Sequence, residues 1–319
     1  MYYIGVDLGG TNIAVGIVDE AMKVVRKGSV PTLPERGAEA IVADMAKLAA
    51  TLLEEAGIPL SEVAYAGIAS PGVCNRETAT VEYSCNLPFR HFEIGKEFMR
   101  HLAVPKVYVE NDANAAALAE ALAGAARGTK NSVMITLGTG VGGGIIIDGK
   151  IYSGFNFAGG ELGHVVIVKG GRQCGCGRRG CWETYSSATG LTNMTREKVT
   201  ELSLKGIPSV MVDEYKATGK VTARTAFDGM RRGDKAASEV VDMYISYLAC
   251  GIANMVNIFQ PEVLSIGGGI CNEKHYLLDP LQAIVDREQY TRNDAHKTVL
   301  KIAEMGNDAG IVGAAGLGL

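Results

Sequence analysis

The chain lacks a long hydrophobic run. Its most apolar stretch, residues 248–259, is interrupted by Asn254 and Asn257 and falls far short of the roughly 20 residues a membrane-spanning helix requires. It also lacks an imbalance of charge. The 31 Lys and Arg stand against 35 Asp and Glu, a net charge of −4 over 319 residues, which argues against a nucleic-acid or membrane-surface binder. The opening Met1-Tyr2-Tyr3-Ile4-Gly5-Val6-Asp7 has neither the basic flank nor the apolar segment of a signal peptide. No disulfide framework is visible: the seven cysteines are odd in number, and Cys174, Cys176 and Cys181 crowd together while Cys74, Cys85, Cys250 and Cys271 are scattered. Linkers, low-complexity tracts and charge blocks are missing, and no Gly-Lys-Ser/Thr follows a glycine cluster, so there is no P-loop. These absences leave the expectation of a cytoplasmic globular protein, long enough for two domains of about 100–200 residues each.

What is present reads as alternating strands and helices. Residues 2–18 form an apolar run broken by Gly9-Gly10-Thr11, the pattern of strand, tight turn, strand. Ile41, Met45, Leu48 and Leu52 recur at helical spacing before Gly57 and Pro59, which predicts a helix over 38–56. A buried strand over 63–68 opens into Ser70-Pro71-Gly72. Ile94, Phe98 and Leu102 mark a second helix, and a strand over 107–109 runs out at Glu110-Asn111-Asp112 into an Ala-rich helix over 114–126. Residues 132–149 repeat strand, glycine turn, strand. The remainder predicts helix over 181–204 and 236–259, a strand over 263–266, a helix opened by Gly267-Gly268-Gly269, a last strand over 298–305, and a Gly/Ala-rich helix over 309–319 that crosses back onto the first lobe. Such alternation argues for an α/β sheet with helices on its faces. A shift of 129 positions lays Val6-Asp7-Leu8-Gly9-Gly10 on Ile135-Thr136-Leu137-Gly138-Thr139 and Asp19 on Asp148, which points to a duplicated hairpin.

Both hairpin tips suit a triphosphate. Glycines at Gly9, Gly10, Gly138 and Gly140 let the backbone approach phosphate closely, and the hydroxyls of Thr11 and Thr139 add donors. Asp7 can hold magnesium through water. Glu110-Asn111-Asp112 stands at a strand end running into a helix, where open α/β sheets meet their ligands. Phosphoryl transfer to a sugar hydroxyl needs a carboxylate to accept the proton, and Asp112 at a helix N-terminus stays ionised there; its plainer role would be an N-cap.

Glu161-Leu162-Gly163-His164 followed by Cys174-Gly175-Cys176-Gly177-Arg178-Arg179-Gly180-Cys181-Trp182-Glu183 is the most specific signal in the chain. Three thiolates and one imidazole make a closed tetrahedral zinc set of the structural kind, with no position left for an activated water. Zinc would also clamp the neighbouring Glu161 and Glu183, whose carboxylates are good acceptors for sugar hydroxyls. Trp182 is expected to pack as core, and His91, His101, His275 and His296 to lie at the surface.

Together these residues resemble the ROK family of sugar kinases and repressors, most closely its bacterial glucokinase-like kinases, and the resemblance spans the whole chain. Asp7 to Thr11 resembles the family's first phosphate hairpin. Leu137 to Gly144 with Gly154, Gly160, Gly163 and His164 is similar to its signature, and the cysteine segment resembles its Cys-x-Cys-Gly-x-x-Gly-Cys-x-Glu motif position by position. The resemblance implies Asp112 as catalytic base and Asn111, Glu161, His164 and Glu183 as sugar ligands, with Gly72 and Asn86 where the small lobe touches the sugar. It implies zinc on His164, Cys174, Cys176 and Cys181, and Gly267, Gly268 and Gly269 beside the adenosine of ATP, which would enter with Mg2+.

The implied fold is the α/β, two-lobed actin-like ATPase (ribonuclease H-like) fold with a central cleft. Its small lobe would be residues 1–113 plus 304–319 and its large lobe 114–303, with the zinc-binding segment at 164–181. Hinges are expected near 111–114 and 303–308, because closure aligns donor and acceptor and excludes water. The implied reaction is transfer of the γ-phosphoryl group of ATP to the 6-hydroxyl of glucose, by a homodimer or homotetramer with no nucleic-acid or membrane partner. Kinases for N-acetylmannosamine, N-acetylglucosamine, fructose or allose are the alternatives, since the sequence does not fix the pocket around C2. A repressor of the same family would carry an added helix-turn-helix. The first strand here starts at residue 2 and Asp112 is intact, which favours the enzyme over the sensor.

Overall fold

A computed structural model describes residues 1–319. In chain order the strands are β1 Tyr2–Leu8, β2 Asn12–Asp19, β3 Val24–Pro31, β4 Val63–Ser70, β5 Val73–Asn75, β6 Thr80–Tyr83, β7 Arg90–Phe92, β8 Val107–Asn111, β9 Ser132–Leu137, β10 Val141–Ile147, β11 Lys150–Ile151, β12 Val263–Gly267 and β13 Val299–Ile302. The helices are α1 Ala38–Ala56, α2 Ile94–His101, α3 Asp112–Leu122, α4 Glu183–Ser186, α5 Ala188–Lys205, α6 Val210–Thr218, α7 Thr225–Arg231, α8 Lys235–Phe259, α9 His275–Glu288 and α10 Ala309–Ala315. None of them is long and apolar enough to cross a membrane.

Two five-stranded sheets have the orders β3-β2-β1-β4-β8 and β11-β10-β9-β12-β13, and β5-β6-β7 forms a small third sheet. In the first, β1, β2 and β3 run antiparallel, while β1–β4 and β4–β8 are parallel. In the second, β10–β11 is antiparallel and β12–β13 parallel. The repeat read from sequence therefore extends beyond the hairpins: β1, β2, β3, β4 and β8 occupy the places that β9, β10, β11, β12 and β13 occupy. Asp19 is the last residue of the second strand of its set, and Asp148 directly follows the second strand of its own. Asp19 Oδ1 accepts from the amides of Ala21 and Lys23, and Asp148 takes a left-handed φ of 51°.

The chain divides into two compact units, residues 1–134, 144–160 and 303–319, and residues 135–143 and 161–302. The first unit has a core on each face of its sheet. On one side Ile4, Val6, Ile13, Val15 and Ile68 pack against Ile41, Met45, Ala49 and Leu52 of α1 and Phe98 of α2, each fully or almost fully buried. On the other side lies α10, with sequence Ala-Gly-Ile-Val-Gly-Ala-Ala, every residue of it buried. Its composition follows from how closely it approaches backbone. Gly5 and Gly67 are register partners on β1 and β4, and a Cβ at either would collide with a carbonyl of α10, at Ile311 and Ala314. The α3 helix packs on α10 in turn, with Gly313 against the Ala115 carbonyl. The final helix thus does return to the first strands, and α3, expected in the larger lobe, clusters with the first unit.

The second unit is organised on α8, capped by Asp234, whose carboxylate accepts from the amides of Ala236 and Ala237. Its buried stripe includes Val240, Val241, Tyr244, Leu248 and Ile252, and α4, α5, α7 and α9 pack around it. Burial of each such side chain contributes about 1.5–3 kcal/mol relative to exposure. The indole of Trp182 is fully buried against Gly251 of α8, where a Cβ would collide with the ring.

Several boundaries differ from the sequence expectation. The Ala-rich helix starts at Asp112 and stops at Leu122, and the last strand covers 299–302 only. The helical region after Cys181 is broken at Ser187, whose hydroxyl accepts from Gly190 N and restarts the chain as α5. Gly267 completes β12, and a short 3₁₀ turn at Gly269–Glu273 precedes α9.

Candidate active site

In the first unit, the β1–β2 turn leaves Gly10 and Thr11 exposed while its base is fixed: Gly9 N donates to Asn12 O at 2.9 Å, and the buried Thr32 hydroxyl donates to Gly9 O at 2.7 Å. Gly10 lies beside Asn86, which is also exposed; a Cβ on Gly10 would be 3.9 Å from that of Asn86. Gly72 sits at φ 104°, a conformation that favours glycine, and its carbonyl accepts from Asn111 Nδ2 at 3.1 Å.

At the head of α3 the capping role open to Asp112 falls to its neighbour. Asn111 is the N-cap: its Oδ1 accepts from the amides of Ala113 at 2.9 Å and Asn114 at 3.3 Å. Asp112 is the first helical residue. Its Oδ1 takes the Ala113 amide at 2.9 Å, and the carboxyl otherwise opens outward. Although Asp112 reaches solvent, the protein packed around its carboxyl raises its pKa, partly offset by the Ala113 amide and Asn111. Asp7 on β1 is pushed up from 3.8 to about 6, first by burial and then by the negative charge of Asp112. Behind Asp7 lies Gly310 of α10, where a Cβ would collide with the carboxyl. Glu110 is buried beneath this turn and accepts from Asn111 N and Asn114 Nδ2, with its pKa raised by burial.

The second unit brings together the other set of residues. Gly138 and Thr139 form the exposed β9–β10 tip, held by Gly138 N to Gly140 O at 3.1 Å and Ala188 N to Gly138 O at 2.9 Å. Gly268, at φ 101°, abuts the Leu137 carbonyl, so the Gly267–Gly269 turn lies directly against this tip. A Cβ on Gly140 would stand 2.5 Å from Glu183 Oε2. The segment holding the cysteines is a small hairpin, with bridges Val166 to Cys181 and Gln173 to Arg179 and a turn at Gly177, φ 90°. It gathers one donor atom from each of His164, Cys174, Cys176 and Cys181 within 4.8 Å of one another, a set that could hold a metal ion. Glu183 joins the cluster from α4: its Oε1 lies 3.0 Å from Cys174 Sγ and 3.6 Å from His164 Nδ1. The opposite ring nitrogen, His164 Nε2, faces Glu161 at 3.9 Å, and the Glu161 side chain is exposed.

Compared with known proteins, the chain matches the ROK family over residues 3–319. It belongs to the ROK family. It is 38% identical to the glucokinase of Thermotoga maritima, across 98% of this chain and 96% of that enzyme, and 36% identical to the glucokinase of Halalkalibacterium halodurans, across 98% and 93%. The crystal structure of a ROK family glucokinase from Streptomyces griseus, in complex with glucose and AMPPNP, is similar with a TM-score of 0.77 at 33% identity, covering 99% of each chain. The α/β fold of this ROK chain, with its mixed sheets, is that of the actin-like ATPases.

Sequence reasoning missed several residues that stand beside these candidates. Gly310 carries no local signal, because its partner Asp7 is 303 positions away. A cavity of about 450 Å³ beside Thr139 and Glu183, lined also by Arg172, Ser187, Thr189 and Asn193, went unnoticed because the four come from two separate segments, before and after Cys181. The scattered histidines are exposed and the indole is core, as expected.

Proposed function

We propose that this chain is an ATP-dependent hexose kinase, acting in the cytosol, that transfers the γ-phosphoryl group of ATP to the 6-hydroxyl of glucose with Asp112 as general base. The observation that carries the reading is the Asp112 carboxyl: Asn111 relieves it of capping, and it is held at the helix head by one amide. The protein packed around that carboxyl raises its pKa, which makes the carboxylate a better proton acceptor than a free one. It takes the proton of the sugar hydroxyl as the new O–P bond forms and the bond from the γ-phosphorus to its bridging oxygen breaks, with ADP leaving. Asp7 would hold magnesium, which neutralises phosphate charge when bound. Gly9, Gly10 and Thr11 in one unit, and Gly138, Thr139 and Gly140 in the other, are the phosphate loops. Gly267, Gly268 and Gly269 with the cavity beside Thr139 offer room for the rest of the nucleotide.

The sugar contacts in this reading are Gly72, Asn86, Asn111 and Asp112 in the first unit and Glu161, His164 and Glu183 in the second. The cysteine hairpin fits zinc. Ligand atoms about 2.3 Å from a tetrahedral zinc stand about 3.8 Å from each other, and the separations are 3.7 Å for Cys176 Sγ to Cys181 Sγ and 3.6 Å for Cys174 Sγ to His164 Nδ1. Four protein ligands leave zinc a structural part, bracing Glu183 and Glu161 for sugar hydroxyls. Assembly as a homodimer or homotetramer belongs to the same reading.

A coupled ADP-release assay with ATP and magnesium tests it against glucose, mannose, fructose, allose, N-acetylglucosamine and N-acetylmannosamine. Turnover greatest with glucose is expected. Preference for another sugar moves the substrate assignment, and silence across the panel from folded protein overturns the kinase reading in favour of a sensor.

A further inference from the structure

Glu120 lies in the third turn of α3, 1% exposed, and its carboxylate is turned into the protein. Oε2 accepts from Ala125 N at 2.7 Å and Glu304 N at 3.1 Å, and Oε1 accepts from Met305 N at 2.8 Å. The backbone has made space for it: a Cβ on Gly124 would collide with Oε2. A buried carboxylate carries a large desolvation cost unless charge-assisted hydrogen bonds offset it. An apolar side chain would fill this volume more cheaply, so the charge needs a reason beyond packing.

The reason lies in which amides it takes. The chain leaves the second unit at Ile302 and re-enters the first at Ala303, and Glu120 binds the next two amides. From there Asp308 N donates to Met305 O at 3.0 Å, Lys27 pairs with Asp308 at 2.6 Å, and α10 begins at Ala309. One turn of α10 supplies Gly310 behind Asp7, while the helix that bears Glu120 bears Asp112 at its head.

We infer that Glu120 is a positioning residue that anchors the returning chain to α3, so that everything from residue 304 onward is carried with Asp7 and Asp112 as one piece. The point of flexure in the returning strand then lies at Ile302–Ala303, before the 303–308 stretch is complete. Glu120 touches neither substrate nor reacting atoms; it holds the backing of Asp7 in register with the base. This assignment rests on the reading of Asp7 and Asp112 as the magnesium and base residues.

The test uses the full chain with two variants: Glu120→Gln, which removes the charge at constant size, and Gly124→Ala, which keeps the charge and crowds the carboxylate. Hydrogen exchange resolved at Glu304 and Met305 is expected to quicken by about tenfold or more in both, as loss of a charge-assisted bond dictates, while amides of β1 and β4 stay unchanged. In steady-state kinetics the KM for magnesium-ATP is expected to rise several-fold with the KM for glucose within about twofold, a split that plain destabilisation of the fold would not produce. Unchanged exchange at 304 and 305 in both variants, or equal rises in both KM values, overturns the anchor. Exchange needs no turnover, so a chain that phosphorylates no sugar would refute the kinase reading while the exchange result still decides this one.

Discussion

Replacing Asp7 with asparagine should make the ligand-free protein more stable. The Asp7 carboxyl has a pKa of about 6 in the folded chain against 3.8 as a free group, because burial and the charge of Asp112 both disfavour its ionised form. At neutral pH the folded protein therefore carries a penalty of up to about 3 kcal/mol for keeping Asp7 charged. The sign follows from linkage: a carboxyl whose folded pKa is raised is best tolerated when protonated. The penalty is complete above about pH 6 and shrinks as pH falls toward 3.8, below which both states are protonated. Asp7→Asn is isosteric and removes the charge, so thermal unfolding at pH 7.5 without ligands should move up by roughly 4–6 °C, with most of that gain gone by about pH 4.5. Magnesium and ATP should then stabilise the wild type and not the variant, since mass action rewards only the form that binds them. An unfolding temperature at or below that of wild type at pH 7.5, or an advantage undiminished at pH 4.5, would falsify the claim that Asp7 is held charged against its surroundings.

Three further substitutions address the rest of the site. Asp112→Asn should lower kcat by about 10²–10⁴-fold, the usual share of a general base, with glucose affinity by calorimetry little changed; normal turnover would remove Asp112 from that role. The same variant should bring the Asp7 titration down toward its ordinary value, since one of the two causes of its rise is gone. Cys176→Ser should release zinc and weaken sugar binding, and metal analysis that finds none in the wild type would refute the site. Gly140→Ala puts a methyl group 2.5 Å from Glu183 Oε2, so strain of about 1–3 kcal/mol and a raised KM for glucose are expected; wild-type kinetics would mean that Glu183 has free room to move.

How much of this was legible in the sequence depended on how local the cause is. The glycine turns, the limits of α1 and the grouping of His164 with Cys174, Cys176 and Cys181 all follow from residues close together in the chain, and the sequence showed each, though not the hairpin that carries the cysteines. Strand β3 has no sequence signature, because Val24–Pro31 is largely exposed, polar along much of its length, and so carries no apolar alternation. The strands β5, β6 and β7 are only three or four residues long. The last strand is shorter than its sequence implies because a distant group competes for its amides: from Glu304 they turn to Glu120, 184 positions away, and the ladder ends. Glu120 also takes the Ala125 amide just past the end of α3, inside the span read as helix. At the other end, Asn111 and Asp112 are equally good caps on paper. Only the geometry of the turn shows that asparagine does the capping.

Trp182 is the one tryptophan of the chain, set between Cys181 and Glu183 with its indole seated on Gly251. Light absorbed beyond the tyrosine band can therefore be emitted from a single place in the molecule, and that place is the seam between the cysteine hairpin and the long helix. A shift in its emission when metal is withdrawn or sugar is added would be a local reading rather than an average over many rings. The protein carries an internal optical gauge of this seam, without any label having to be attached.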